Sequence, residues 1–290
     1  MAEAAIPVDL FNPGQVFACL GFLEAAEILL GDAEGGFDWS DEANVRFHLR
    51  TRGDDNPVAA VLAFLAAATV NSVAPLRSEH RTEKWTIPTA LLREGEPFPF
   101  PDPSSPATLP ARLSVGTCSL VLDHWGDATV RDNVKFWAGA AGYPGAALAR
   151  DALALAHVKS EGALNDPFAV SAPQSSSFRF EWRRDYIPID AGFSPNEHGQ
   201  ITMMGYPLTE VLAAVGLGHA RPQRLTKLEY RYGVAGGGLA DVWLDPMFLR
   251  AALGCSQLPF LQRTFRMQLG WPGQENQARC ILNVIEEPNP

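Results

Sequence analysis

The chain has 290 residues, of which 47% are hydrophobic and 19% are charged, a composition that excludes a disordered protein. Its formal net charge of −10 excludes a protein that holds nucleic acid through a general basic excess. The acidity lies mostly in residues 1–60, where eleven acids and three arginines give a charge of −8. Any nucleic-acid contact therefore requires a local basic patch or a partner subunit.

Asparagine–proline pairs predict the starts of the first two helices. Asn12-Pro13 supplies a capping residue and a favoured first helical residue, apolar spacing continues to Leu30, and Gly31 suits the C-cap. Asn56-Pro57 opens the second helix in the same way. Further helices are predicted at 144–158, 208–215 and 246–253. Alternating or continuous apolar runs predict strands at 6–10, 45–50, 112–123, 175–189, 225–234, 239–244, 264–269 and 278–285.

Helices and strands are mixed without regular β-α-β alternation, which predicts an α+β fold with a mixed, largely antiparallel sheet and packed helices. The proline-rich stretch 97–110 predicts a loop or linker. It divides the chain into an N-terminal α/β lobe at 1–96 and a C-terminal α+β lobe at 111–290, with one continuous domain as the open alternative. The glycine run 236–238 predicts a tight hairpin turn.

No targeting signal or apolar run of the ~20 residues needed to span a membrane is found. The cysteines Cys19, Cys118, Cys255 and Cys280 are far apart, which predicts reduced thiols in a cytoplasmic protein. The six histidines share no metal-binding spacing, and no nucleophile or phosphate-binding motif occurs. We therefore expect no metal, no cofactor and no enzymatic activity.

Two segments interleave basic and aromatic residues, a pattern that suits contact with phosphates and unpaired bases. The first, 131–137, offers Arg131, Lys135 and Trp137 as candidate nucleic-acid contacts. The second, 178–186, offers Arg179, Arg183 and Arg184. An amphipathic strand with aromatics in the core explains the second segment better, because alternation is the common sheet pattern. For the first segment the two interpretations remain open.

Three stretches, 6–31, 122–139 and 190–222, resemble small accessory subunits of type I-U (also called I-G) CRISPR loci. The opening IPVDLFNPGQVFACLGFLEAAEILLG is the most specific, followed by LDHWGDATVRDNVKFWAG and then by DAGFSPNEHG with PLTEVLAAVGLGHARP. The resemblance implies a non-catalytic subunit of a crRNA-guided, Cascade-type complex that contacts other subunits, crRNA or target DNA. It also implies a large-subunit-like or RAMP-related protein, the latter with an RRM-like core, and it supports Lys135 and Trp137 as contacts.

Two other function classes stay open from the residues alone. A stand-alone hydrolase or nuclease would assemble its site from distant positions, and the first places to search are Glu79, His80, Asp123, His124 and Asp127. A small-molecule binding protein would need a deep apolar cavity with a few convergent polar groups.

Overall fold

The computed structural model describes residues 1–96, 98, 103, 105–125, 143–157, 162–174, 176–183, 203–271 and 279–288. Within these residues the protein has an α+β fold with five α-helices and mixed, mostly antiparallel sheets, as predicted. The helices are α1 (Pro13–Leu30), α2 (Pro57–Ala67), α3 (Gly145–His157), α4 (Pro207–His219) and α5 (Pro246–Leu253).

Three sheets contain the thirteen strands of the described residues. The first has the order β1-β3-β2-β11-β12-β13, with β10 also paired to β11; the second has the order β5-β4-β6-β7; and β8 pairs with β9. Only β2 with β11 and β4 with β5 run parallel among these pairs. The strands are β1 (Ala2–Pro7), β2 (Glu34–Asp38), β3 (Arg46–Thr51), β4 (Thr69–Ala74), β5 (Thr89–Leu91), β6 (Ala111–Val115), β7 (Cys118–Leu122), β8 (Ala172–Pro173), β9 (Met204–Gly205), β10 (Gln223–Arg224), β11 (Glu229–Gly237), β12 (Leu261–Gly270) and β13 (Cys280–Glu287).

The first helix forms the centre of the core. Its predicted bounds are confirmed: the Asn12 side chain accepts from the Gln15 backbone N–H, and Gly31 is the C-cap. Every residue from Pro13 to Ala26 is buried. α1 is long and apolar enough to cross a membrane, but 78% of it is covered by the rest of the protein, as in the core helix of a soluble protein.

Helices α1 and α4 cross at very short range because both carry glycine at the contact. A Cβ atom at Gly21 would overlap the carbonyl oxygen of Leu212, and a Cβ atom at Gly216 would overlap that of Phe17. Removing the Cβ lets two helix backbones touch, which larger residues prevent. This contact fixes the position of α4 over the middle of α1.

Aromatic rings connect α1 to the first sheet. Phe17 packs edge-on against Tyr232 of β11, with ring centroids 5.8 Å apart, and Tyr232 stacks on Phe265 of β12 at 5.4 Å. The Tyr232 hydroxyl donates to the carbonyl of Leu10 at 2.8 Å, so this fully buried polar group is satisfied. Burial raises the pKa of Tyr232 well above its ordinary value. The loop before α1 is thereby held on the sheet.

Both large sheets run across the predicted division at 97–110. β2 pairs with β11, and β4 pairs with β6, so hydrogen bonds join 1–96 to 111–290. Strand pairing thus crosses the predicted division, in agreement with the open alternative of one continuous domain, and the division into two lobes stays a prediction. The predicted RRM-like core is not confirmed. The strands β1, β3 and β2 are adjacent and antiparallel, as that fold requires. However, β4 lies in the second sheet, and among the described residues β1 has no strand on its other side.

The strands predicted at 112–123 and 239–244 do not form as predicted, and the hairpin predicted at 236–238 is also wrong. The strand predicted at 112–123 is a hairpin, β6 and β7, with a turn at Gly116, whose φ is +57°. The hairpin predicted at 236–238 is instead the end of β11. There a Cβ atom at Gly236 would overlap the backbone of Phe37 in β2, so glycine allows the close strand pairing rather than a turn. Residues Leu239–Asp241 form a 3₁₀ turn.

We predict that Gly21→Ala destabilises the protein because the new methyl group meets rigid backbone of α4. Overpacking costs about 1–3 kcal/mol and occasionally more, which here opposes a gain of about 1 kcal/mol in helix propensity. We expect a net loss of about 2 kcal/mol in the free energy of unfolding, measured by urea denaturation. The control is Gly254→Ala, where φ is −75° and the nearest atom to a Cβ lies at 3.6 Å. Equal stability of the two variants would contradict the prediction.

Candidate functional site

Four of the six predicted nucleic-acid contacts, Arg131, Lys135, Trp137 and Arg184, lie outside the described residues. They stay predictions, and so does the candidate ligand Asp127. The structure places the other two, Arg179 and Arg183.

The segment that carries Arg179 and Arg183 is not the predicted strand over its described part, 176–183. Arg179 has a φ of +71°, a left-handed conformation that interrupts an extended chain. Phe178 and Phe180 are buried and pack against His124 with ring centroids 5.8 and 5.3 Å apart. Their rings are core residues, as the structural interpretation of this segment predicts, and are not exposed for stacking on bases.

Arg183 lies at the surface and is neutralised by a buried carboxylate. Its guanidinium donates to both carboxylate oxygens of Glu181, at 3.0 and 2.8 Å, and to the carbonyl of Phe168 at 2.8 Å. It also lies 3.8 Å from the ring centroid of Tyr206. Burial acts to lower the pKa of Arg183, but the hydrogen bonds and charge of Glu181 outweigh it and the pKa is raised. The geometry of Arg183 is that of a structural ion pair.

Glu181 is the centre of a buried polar network that joins two helix starts. Glu181 is fully buried. Its carboxylate accepts from the Asn12 side-chain amide at 2.6 Å, next to α1, and its backbone N–H donates to the Glu210 carboxylate in α4 at 3.1 Å. This acid faces the interior rather than water, because Asn12 and Glu210 supply its partners. The network fixes Arg183 beside the start of α1.

A polar cleft lies on the outer side of this network. One part has a volume of about 240 Å³ and is lined by the end of β1, the first turn of α1, the β2–β3 loop and the residues Asp166, Phe168 and Arg183. The second part, of about 280 Å³, shares four lining residues with the first. We call the two parts together the acidic cleft; its charged side chains are those of Asp9, Glu42, Asp166, Arg183 and Arg263.

An apolar groove of about 300 Å³ lies between α2 and α3. It is closed at one side by the loop 163–170 and by Leu208 at the start of α4. α2 has no polar side chain, and its residues Ala63, Ala66 and Ala67 are exposed. A helix of a monomeric protein normally places polar residues on its solvent side, so this face of α2 has the composition of a buried surface.

The candidate hydrolase residues Glu79, His80, Asp123 and His124 belong to no possible metal site within the described part of the chain. No three His, Cys, Asp or Glu side chains there form a possible metal site. His124 is fully buried in an aromatic cluster with Trp125 and Phe180, which accounts for its position without a catalytic role.

A second buried carboxylate, Glu24, connects three helices. Arg250 of α5 donates to its two oxygens at 2.5 and 2.6 Å, and His219 at the end of α4 lies 3.2 Å away. Burial lowers the pKa of His219; the Glu24 charge opposes this shift and Arg250 adds to it. The cluster holds the end of α4 onto α1.

Comparison with protein-family models, with curated proteins and with solved structures gives no match for this chain. The site is therefore interpreted from its own geometry.

We predict that Arg183→Met lowers the free energy of unfolding by about 3 kcal/mol, since Glu181 would remain buried without its counter-ion. Adding Glu181→Gln should restore part of this loss. Arg52→Met is the control: Arg52 forms an exposed ion pair with Asp32, and such pairs contribute about 0–1 kcal/mol. Chemical denaturation measures all four proteins. An Arg183→Met protein that keeps full stability and loses RNA binding would instead make Arg183 a nucleic-acid contact.

We predict that acid destabilises the protein partly through His219. Its folded pKa is lower than the ordinary value of 6.5, so the unfolded chain binds a proton more readily. Stability is then fully present above 6.5 and is lost as the pH falls through that value. His219→Gln should lose less stability between pH ~7.5 and ~5.5 than the wild type. His48, whose pKa is also lowered by burial, should give a similar effect as His48→Gln, and identical pH dependence of all three proteins would exclude both groups.

Proposed function

We propose that the chain is a non-catalytic, cytoplasmic protein subunit of a crRNA-guided CRISPR effector complex of the type I-U (I-G) kind. The observation that supports this proposal best is the apolar groove between α2 and α3, with its exposed alanine face. The resemblance of three segments to accessory subunits of such complexes supports this choice of assembly. A protein that docks on others covers an apolar surface of this kind in the complex.

The occupant of the groove is an apolar segment of a neighbouring protein subunit. A groove between two helices, lined by alanine and leucine side chains, suits the helix-in-groove mode of recognition. Burying one leucine-sized side chain there contributes about 1.5–3 kcal/mol. The low charged fraction of 19% agrees with permanent assembly, because obligate interfaces are more apolar than ordinary surface.

Nucleic acid has a secondary place in this proposal. The net charge of −10 favours a peripheral position docked on protein, with sequence specificity supplied by base pairing to the guide. Contacts of Arg131, Lys135 and Trp137 with crRNA or target DNA remain part of the proposal and belong to segment 131–137. Cleavage of the target would belong to a separate helicase–nuclease.

The test is copurification of the chain with tagged effector subunits and crRNA. We expect the wild type in the purified complex, and we expect the double variant Ala63→Glu, Ala66→Glu to be lost from it. Two carboxylates would be buried without partners at the interface, which costs several kcal/mol and lowers affinity by roughly 100-fold or more. Glutamate is a good helix former, so α2 itself should remain folded.

The matched control is Met247→Glu on α5, a helix residue that is 61% exposed and does not line the groove. It should enter the complex like the wild type. Failure of the wild type to enter the complex under any condition would overturn the proposed function. A concentration-dependent wild-type dimer that the groove variant abolishes, seen by light scattering, would replace the effector partner with a second copy of this chain.

A further inference from the structure

The second sheet carries almost no charge. Its strands β4, β5, β6 and β7 contain one charged residue, Arg112, and no acid, although the chain has 33 aspartates and glutamates. The inner face of this sheet is buried in the core through Leu113 and Leu120. The opposite face, which we call the outer face, presents two rows of aligned side chains that are half-buried or exposed: Asn71, Arg112 and Val121, and Thr69, Ser114 and Ser119.

Arg112 lies in the middle of the outer face without a partner. In the part of the chain that the structure describes, its guanidinium makes no hydrogen bond and no ion pair, including with Asp123, the first acid after β7. Other half-buried arginines, such as Arg50 and Arg231, each pair with a glutamate. The side chains of Asn71 and Ser114 also make no hydrogen bond within the described residues. The outer face therefore presents donors whose acceptors come from solvent or from another molecule.

The composition of the outer face is that of the centre of a protein interface. The solvent side of an antiparallel sheet is normally polar, and 19% of the whole chain is charged. Interface centres, in contrast, are depleted of charged residues in general but enriched in arginine, which is a common hot-spot residue there. One arginine among short neutral side chains fits this second description.

We propose that the outer face binds an acidic segment of a partner protein, with a glutamate or aspartate carboxylate on Arg112. The guanidinium donates two parallel hydrogen bonds to this carboxylate, and the side chains of Asn71 and Ser114 donate to oxygen atoms of the same segment. The proposal rests on the proposed function only in requiring a protein partner, and it uses none of the residues that line the apolar groove.

Charge selects a carboxylate over nucleic acid as the ligand of this face. A nucleic-acid backbone is held by several lysines or arginines, whereas the outer face supplies one cation on a chain with a net charge of −10. A single carboxylate needs only one arginine, because the planar guanidinium matches its two oxygens. The neighbours Ser114 and Ser119 are short, so a partner segment reaches the guanidinium without displacing bulky side chains.

The experiment is a titration of the full chain with the blocked tripeptide acetyl-Ser-Glu-Ser-amide at low salt, followed through the NMR signals of the arginine Nε–H groups. The Arg112 signal is assigned by its absence in Arg112→Gln. Arg77 is the internal reference, because it is exposed and also has no ion pair in the described part of the chain. We expect the peptide to bind at Arg112 at least about tenfold more tightly than at Arg77, since neighbouring donors add to the charged contact. The same peptide with glutamine in place of glutamate should shift neither signal.

The double variant Asn71→Ala, Ser114→Ala tests whether the outer face is a site rather than a lone arginine. It keeps Arg112 and removes two neighbouring donors, so the affinity at Arg112 should fall about tenfold, to that of Arg77. Neither position is buried, so the fold should be retained, which a thermal unfolding curve checks. The matched control is Asn44→Ala, Ser256→Ala, which changes the same residue types in exposed loops and should bind within about twofold of the wild type.

Equal affinity at Arg112 and Arg77 would overturn the inference, and so would an unchanged affinity in the folded Asn71→Ala, Ser114→Ala protein. Uridine monophosphate is titrated in parallel. Binding of this nucleotide at Arg112, without binding of the glutamate peptide, would replace the carboxylate by a phosphate of nucleic acid. Failure of these titrations leaves the effector copurification intact, whereas failure of copurification with peptide binding retained would remove only the proposed function.

Discussion

The contact between α1 and α4 determines where the rest of the molecule can lie. Because Gly21 and Gly216 lack side chains, the two helix backbones touch, and the buried acids around them can be shared. On one side of the crossing Glu181 joins the two helix starts; on the other Glu24 joins α1 to His219 at the end of α4. Each acid has an arginine from a third segment. The apolar crossing is thus flanked by two ion pairs that fix its position.

Two surfaces of different chemistry lie close together as a result. The segment 163–170 lines both of them, with Ala163, Leu164 and Val170 on the apolar groove and Asp166 and Phe168 on the acidic cleft. The groove offers non-directional burial, which supplies affinity. The cleft offers charge and oriented hydrogen bonds, which supply selectivity.

The bounds of α1 could be predicted from residues close together in the sequence. The residues of the cleft, in contrast, are brought together by contacts between distant parts of the chain. Asn12, Pro13 and Gly31 define the bounds of α1 because caps act within a few residues. The glycines 236 and 237 led to the wrong prediction of a hairpin turn. Whether glycine forms a turn or permits close strand pairing depends on the neighbouring strand, which the local sequence does not show. Asp9, Gln15 and Asp166 share no motif and meet only in the fold. The one local sign was Gln15 itself, a polar residue in an apolar helix, where burial requires a partner.

The pairing of β2 with β11 has a consequence for synthesis of the chain. Phe37 lies opposite Gly236, so the central sheet closes only after most of the polypeptide has left the ribosome. Until then α1, whose residues from Pro13 to Ala26 are all buried in the finished fold, has no α4 or β11 to cover it. Folds built on such distant pairings form slowly and expose apolar surface meanwhile. The nascent chain therefore keeps this apolar helix uncovered until late in synthesis, and its yield should depend on translation speed and temperature.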